Sequence, residues 1–379
     1  MKIGILTQPL VLNYGGIIQN WALQQILKSL GHEPVMINRC YDAPIRTAKL
    51  IVVRSLSFIK HLTLKAIGRD SRASLCNPFA RVYNLYVPTY ADKSFCSEEI
   101  VKSKALYSDQ ELRKWVDNCD VEAFIVGSDQ VWRQEYSPRI ETYFLDFLSE
   151  TDTRKRIAYA ASFGTDCGYI SEDKLAECCR LLSRFDAVSV RENGGLKIVR
   201  EVFGYNEAVK TLDPTLLLSA DHYKAVINGE REPSKPYVAA YILDDTEEKT
   251  SILNDVASTL SLPVKRMSAN YTGSKMPTIP QWLAKFANAD YVVTDSFHGC
   301  IFSIIFEKPF IAFGNVGRGL DRFSSLLDSL GLENRLVNSL NGFNANRSTL
   351  LSPIDYKRVK VQLDEQRRQS LSFLTNALA

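Results

Sequence analysis

The feature that most narrows what this chain can fold into is a recurring three-part unit: a short apolar run, a polar loop containing Gly, Ser or Asn, and a helical stretch. Parallel strands are buried on both faces and so read as short continuous apolar runs. Each also needs a crossover helix to return the chain to the same end of the sheet. Lys2–Thr7 reads as a strand, Gln8–Gly16 as a loop, Ile17–Leu30 as a helix closed by Gly31, and Pro34–Asn38 as the next strand. Ala123–Val126, Ile157–Ser162 and Ala187–Arg191 continue the series. After Leu212-Asp213-Pro214-Thr215 the pattern restarts, with Tyr237–Leu243 and Pro263–Arg266 as strands, Asp255–Leu260 in a helix, and Tyr291–Thr294 entering a further loop and helix. The expected fold is α/β, with two Rossmann-like doubly wound domains. These are residues 1–215 and 216–353, followed by a helical tail, 354–379, placed to pack back on the first domain.

A chain of 379 residues has room for two such cores. Its net charge of +3 is the difference between 46 basic and 43 acidic residues, which supplies no global field for a polyanion, so nucleic acid is not an expected partner. The opening MKIGILTQ enters a strand directly, without the features of a secretory leader, and the expectation is a cytoplasmic protein. Eight cysteines without CxxC pairs or Cys/His clusters point to free thiols and to no metal site. No apolar run reaches the roughly 20 residues that span a bilayer. Residues 49–67 carry an apolar face flanked by Lys49, Arg54, Lys60 and Lys65. Such a segment suits peripheral contact with the inner membrane surface, but a helix buried against its own domain with its lysines reaching outward is the commoner source of this pattern and the favoured reading.

The sharpest chemical segment is YVVTDSFHG, Tyr291–Gly299. An apolar strand ends in a polar loop and a helix begins, which places His298 at a helix N-terminus on the ligand-binding edge of a parallel sheet. Free amides and the helix dipole favour a phosphate or carboxylate there, and His298 either exchanges a proton with it or merely caps the helix. Asn13-Tyr14-Gly15-Gly16 opens the first helix with two glycines that permit close approach of a ligand, or simply a tight turn; it is not a GxGxxG fingerprint. Ser128, Asp129, Gln130 and Trp132 offer a hydroxyl, a carboxylate, an amide and an indole for sugar hydroxyls and stacking, although Trp132 also suits a core position. Arg191 ends a strand and either binds an anion through its planar fork or, as spacing alone slightly favours, pairs with Glu192 or a neighbouring carboxylate.

In sequence order, KIGILT, NYGGIIQNWALQ, FIVGSDQVW, YFLDF, RIAYAASFG, AVSVRE, LDPTLLL, TDSFHG and EKPFIAFG resemble the polysaccharide pyruvyl transferase family over most of the chain. The resemblance implies a GT-B-like fold and phosphoenolpyruvate as co-substrate, with no other cofactor. It also implies a saccharide or lipid-linked oligosaccharide as acceptor. The family's histidine falls on His298 and its arginine on Arg191. Some members carry an arginine where this chain has Ser296, and Arg318 is the candidate replacement. On this reading His298 is the proton donor, Asp129 or Asp295 the base, and Arg191, Ser296, Gly299 and Arg318 hold the donor. Asn13, Tyr14, Gly15, Gly16, Ser128, Gln130 and Trp132 face the acceptor. The rivals are a nucleotide-sugar-dependent glycosyltransferase of the same shape and a non-catalytic saccharide-binding protein on that scaffold.

Overall fold

A computed structural model describes residues 1–10, 13–41, 92–164, 170–230, 235–267, 277–314 and 319–379. Segment 49–67, Arg318, Cys76 and Cys167 lie outside these residues. The remaining six cysteines are free thiols, and no described helix is long and apolar enough to cross a membrane.

Eleven strands among the described residues form two wholly parallel sheets. The first contains β1 (Lys2–Leu6), β2 (Glu33–Met36), β3 (Ala123–Val126), β4 (Lys155–Ala161), β5 (Ala187–Val190) and β6 (Val209–Lys210), in the order β2-β1-β3-β4-β5-β6. The second contains β7 (Val238–Tyr241), β8 (Val264–Arg266), β9 (Tyr291–Thr294), β10 (Phe310–Phe313) and β11 (Leu336–Val337), in the order β11-β10-β9-β7-β8. Strands β1, β3, β7, β9 and β10 are apolar almost throughout, and apart from Lys2 at the start of β1 their residues are buried, as a sheet covered on both faces requires. The short strands β6, β10 and β11 are additions to the series read from sequence.

The two halves share one apolar core. A single buried cluster contains Ile3, Ile5 and Trp21 of the first sheet's layer together with Trp282, Phe286 and Phe302 of the second. Tyr14 crosses between them: its ring stacks on Trp282 with centroids 5.2 Å apart and planes 8° from parallel. Its hydroxyl donates to the Pro277 carbonyl at 2.6 Å. Asp92 accepts from the Ile279 amide at 2.9 Å, and Asp321 accepts from the Gly194 amide at 2.7 Å. The last helix, Tyr356–Leu378, reaches back to the first sheet, where Lys155 donates to the Ala377 carbonyl at 3.3 Å and Tyr159 of β4 meets Phe373. Ser370 Oγ accepts from the Leu212 amide at 3.0 Å, and Arg367 donates to the carbonyls of Leu216 and Leu218. The carboxyl ends of both sheets open onto the cleft between the halves.

Candidate active site

The first helix, Tyr14–Ser29, begins three residues before the start read from sequence, so Gly15 and Gly16 form its opening turn and Asn13 stands at its N-cap. Glycine is a poor helix former, and the reason for it here lies across the cleft. A Cβ on Gly15 would fall 2.1 Å from Nδ1 of His298, so the imidazole occupies the space that any other residue at position 15 would fill. On Gly16 the same atom would stand 3.0 Å from Asn13 Nδ2 and 3.3 Å from Asp129 Oδ2. Gly15→Ala is expected to push the ring out of register, costing about 1–3 kcal/mol of stability by overpacking. A shifted histidine signal in the NMR spectrum, with activity reduced, is the check.

His298 sits in the first turn of the helix Phe297–Ile305, after β9. Ser296 caps that helix, its Oγ accepting from the Gly299 amide at 3.4 Å. The amides of Phe297 and His298 have no acceptor among the described residues. The helix-end amides left over for a ligand are therefore these two, and not that of Gly299, which is bonded to Ser296 and whose Cα packs against Thr294.

Behind His298 lies a buried charged cluster. The Arg191 guanidinium donates to Asp213 Oδ2 at 2.9 Å and to Asp129 Oδ1 at 3.2 Å, and stands 3.6 Å from Glu192. It also covers the Phe297 ring at 5.0 Å. Its side chain is 1% exposed, with both terminal nitrogens bonded to carboxylates and Nε without a hydrogen-bond partner among the described residues, and it does not line the cavity between the halves. Asp213 is the hub. Besides Arg191 it accepts from Thr215 at both the amide and the hydroxyl, and from Ser128 Oγ at 3.3 Å, and its Oδ2 lies 3.7 Å from His298 Nε2. Burial alone would raise the Asp213 carboxyl. The His298 contact, the Arg191 charge and the Thr215 bond instead hold it well below the usual carboxylate range. The Nε2 of His298 thus faces Asp213 without a hydrogen bond among the described residues, and Nδ1 lies on the Gly15 side.

Between the halves is a cavity of about 480 Å³, lined by residues from the strand ends of both sheets. Asn13, Tyr14, Gly15, Gly16, Asp129, Gln130, Asp295, Ser296 and His298 all line it. Its arginine among the described residues is Arg322, 6% exposed, whose guanidinium lies over the Phe297 ring, 5.2 Å from the centroid. Burial, then the nearby Arg191 charge, lowers it to about 10. Asp129 adopts a left-handed backbone, φ 77°, and its Oδ2 takes no hydrogen bond from a described group, whereas Oδ1 holds Arg191 and the Gln130 amide. Asp295 differs: both its oxygens are occupied, by the amides of Leu243 and Asp244 and by Lys249 at 2.7 Å.

Trp132 and Ser128 are not in the cavity. Trp132 is fully buried, stacked on Phe144 at 5.3 Å with its Nε1 bonded to the Tyr143 carbonyl, so no sugar can reach its face. Ser128 spends its hydroxyl on Ala160 and Asp213. Sequence reasoning missed Arg322, Asp213 and Tyr136 as site residues. For Asp213 the signal was present: an Asp-Pro-Thr start is a helix cap whose second carboxylate oxygen is left over for something else.

In overall shape the chain is similar to UDP-N-acetylglucosamine 2-epimerase from Rickettsia bellii, with a TM-score of 0.52 and 9% identity, covering 99% of this chain and 96% of that one. It also matches the Methanocaldococcus jannaschii UDP-GlcNAc 2-epimerase in complex with UDP-GlcNAc and UDP (TM-score 0.48, 11% identity, 93% and 94% covered). A lipopolysaccharide outer core galactosyltransferase is a third (TM-score 0.47, 10% identity, 100% and 99% covered). The fold is GT-B, two Rossmann-like domains facing across a cleft. No curated protein matches the sequence. A family profile described as polysaccharide pyruvyl transferase matches residues 13–316, a span that begins at the N-cap beside Gly15, takes in most of the cavity wall though not Gln8, Pro9, Leu10 or Arg322, and ends beyond β10, and the chain belongs to that family.

Proposed function

We propose that this transferase moves the enolpyruvyl unit of phosphoenolpyruvate onto a sugar diol, as a cyclic ketal, with release of phosphate. One observation carries the reading. On a single cavity converge an imidazole, a buried guanidinium, two helix-end amides without acceptors, and a carboxylate oxygen not otherwise used. An anion with an adjacent proton-accepting carbon fits such a set.

In this scheme Arg322 and the amides of Phe297 and His298 hold the donor's phosphate and carboxylate. Protonated His298 gives its proton to the methylene carbon, leaving an oxocarbenium-like centre at the neighbouring carbon. The first sugar hydroxyl adds there while Asp129 Oδ2 takes its proton. The carbon–oxygen bond to phosphate then breaks, and the leaving phosphate receives the proton held by Asp129. The second hydroxyl adds to the same carbon and returns a proton to His298, so that every proton is accounted for. Asp295 supports the loop and Arg191 supports Asp213 and Asp129. Reaction with phosphoenolpyruvate places the protein in the cytoplasm, and the acceptor is a polysaccharide unit or a lipid-linked oligosaccharide of surface-polymer assembly.

The test is phosphate release from phosphoenolpyruvate with a panel of galactosides, mannosides and glucuronosides, alongside thermal shift by phosphoenolpyruvate and by UDP. Acceptor-dependent release and a shift with phosphoenolpyruvate are expected. No release with any acceptor, together with a shift by UDP alone, overturns the proposal in favour of a nucleotide-sugar enzyme.

A further inference from the structure

The cavity is polar and charged on its inner walls, but a sugar also presents an apolar face of ring C–H groups, and Trp132, the indole expected to meet it, is in the core. Of the aromatics lining the cavity, Tyr14, Tyr241 and Phe297 are buried and Tyr41 is half-buried, whereas Tyr136 is exposed, at 38%.

Exposure of a large ring at a cavity mouth is ordinarily lost to packing, and here the surroundings hold it in place. The Arg133 guanidinium lies 4.4 Å from the ring centroid and covers one face. Arg133 is itself fixed by Glu135, at 2.9 Å from Nη2, and by the Gln130 side chain. The Tyr136 amide donates to the Arg133 carbonyl at 3.1 Å, and its own carbonyl accepts from the Tyr41 hydroxyl at 2.8 Å. Such a ring loses little conformational entropy when a ligand is laid on it. The same loop carries Asp129, the carboxylate with the unused oxygen, seven residues earlier in a turn held by Gln8, which donates to the Gln130 carbonyl at 2.8 Å.

Resting on the transfer reading above, we infer that Tyr136 is the platform on which the acceptor pyranose stacks, and that the sugar is neutral. The charge follows from the same wall. Asp129 and Asp244 line the cavity, with Asp213 and Glu192 buried behind Asp129 around the same guanidinium, so a uronate carboxylate brought to this side meets like charge. Arg322, the arginine among the described lining residues, is assigned to the donor.

Saturation-transfer NMR on the full chain, with methyl galactoside, glucoside, mannoside and glucuronide and no phosphoenolpyruvate, reads this directly. Transfer from aromatic protons to the ring hydrogens of at least one neutral pyranoside is expected, with none to the glucuronide. It is retained in Tyr136→Phe and lost in Tyr136→Ala, whose acceptor KM rises about tenfold while the KM for phosphoenolpyruvate is unchanged. Equal saturation in Tyr136→Ala, preference for the glucuronide, or no contact with any neutral sugar overturns the inference. Because the sugar contact is read without turnover, its failure is distinct from a failure of pyruvyl transfer.

Discussion

Phosphate release by the His298→Gln chain is expected to fall by about 10²–10⁴-fold, the range that a positioned acid or base contributes. Glutamine approximates the volume of the ring and can still meet Asp213, so circular dichroism and the melting transition should stay close to those of the native chain. The drop should appear in kcat, with the KM for phosphoenolpyruvate nearly unchanged, because the groups assigned to the donor's charge are Arg322 and the helix-end amides. A variant that keeps full kcat would show that His298 only caps its helix. A variant that loses binding instead of turnover would move the histidine from proton transfer to donor recognition.

The second large effect concerns stability. Asp213→Ala removes the carboxylate nearest Arg191 and the cap of the helix Pro214–Leu217, leaving a guanidinium that is 1% exposed with only Asp129 and Glu192 beside it. Breaking one partner of a buried pair costs about 3–5 kcal/mol, and chemical denaturation should show a loss at the lower end of that range. The pH dependence has a definite sign. The folded Asp213 carboxyl is held below its ordinary value, so the unfolded chain binds the proton more readily. Its contribution is fully present above about pH 4, where the unfolded carboxyl is ionised, and is lost as pH falls toward the depressed folded value. Asp213→Asn keeps the shape and loses that titration. Its unfolding free energy should therefore fall less steeply than the wild type's below pH 4; parallel acid limbs would refute the role given to this carboxylate.

The order of strands, loops and helices was legible because buried parallel strands leave an unmistakable mark. Ala123–Val126 and Tyr291–Thr294 coincide with the observed strands residue for residue, and the other strands read from sequence differ by a few residues at their ends. The short edge strands β6 and β11 escaped notice, since two residues carry no periodicity. At the site, the cleft-lining stretches around Asn13, Asp129 and His298 were legible as polar loops after apolar strands. Side-chain direction was not. Arg191 was expected to point into the crevice, yet its orientation is decided by Asp213, 22 positions away, and Asp129, 62 positions away, and no local pattern encodes which carboxylates fold up beside a strand end. Trp132 shows the same limit, since an indole six residues after a strand reads alike whether it faces a sugar or, as here, Phe144.

The fit of Gly15 against the His298 ring bears on how such a protein can be recombined. The glycine belongs to the first half of the chain and the imidazole to the second, and they stand closer than any side chain at position 15 would allow. A chimera that takes one half from a relative draws the two members of that pair from different parents, and likewise Tyr14 and Trp282. Exchange of whole halves therefore keeps the fit only where the incoming half supplies a glycine or an imidazole at the matching position, whereas changes in the loops around the cavity leave both pairs intact.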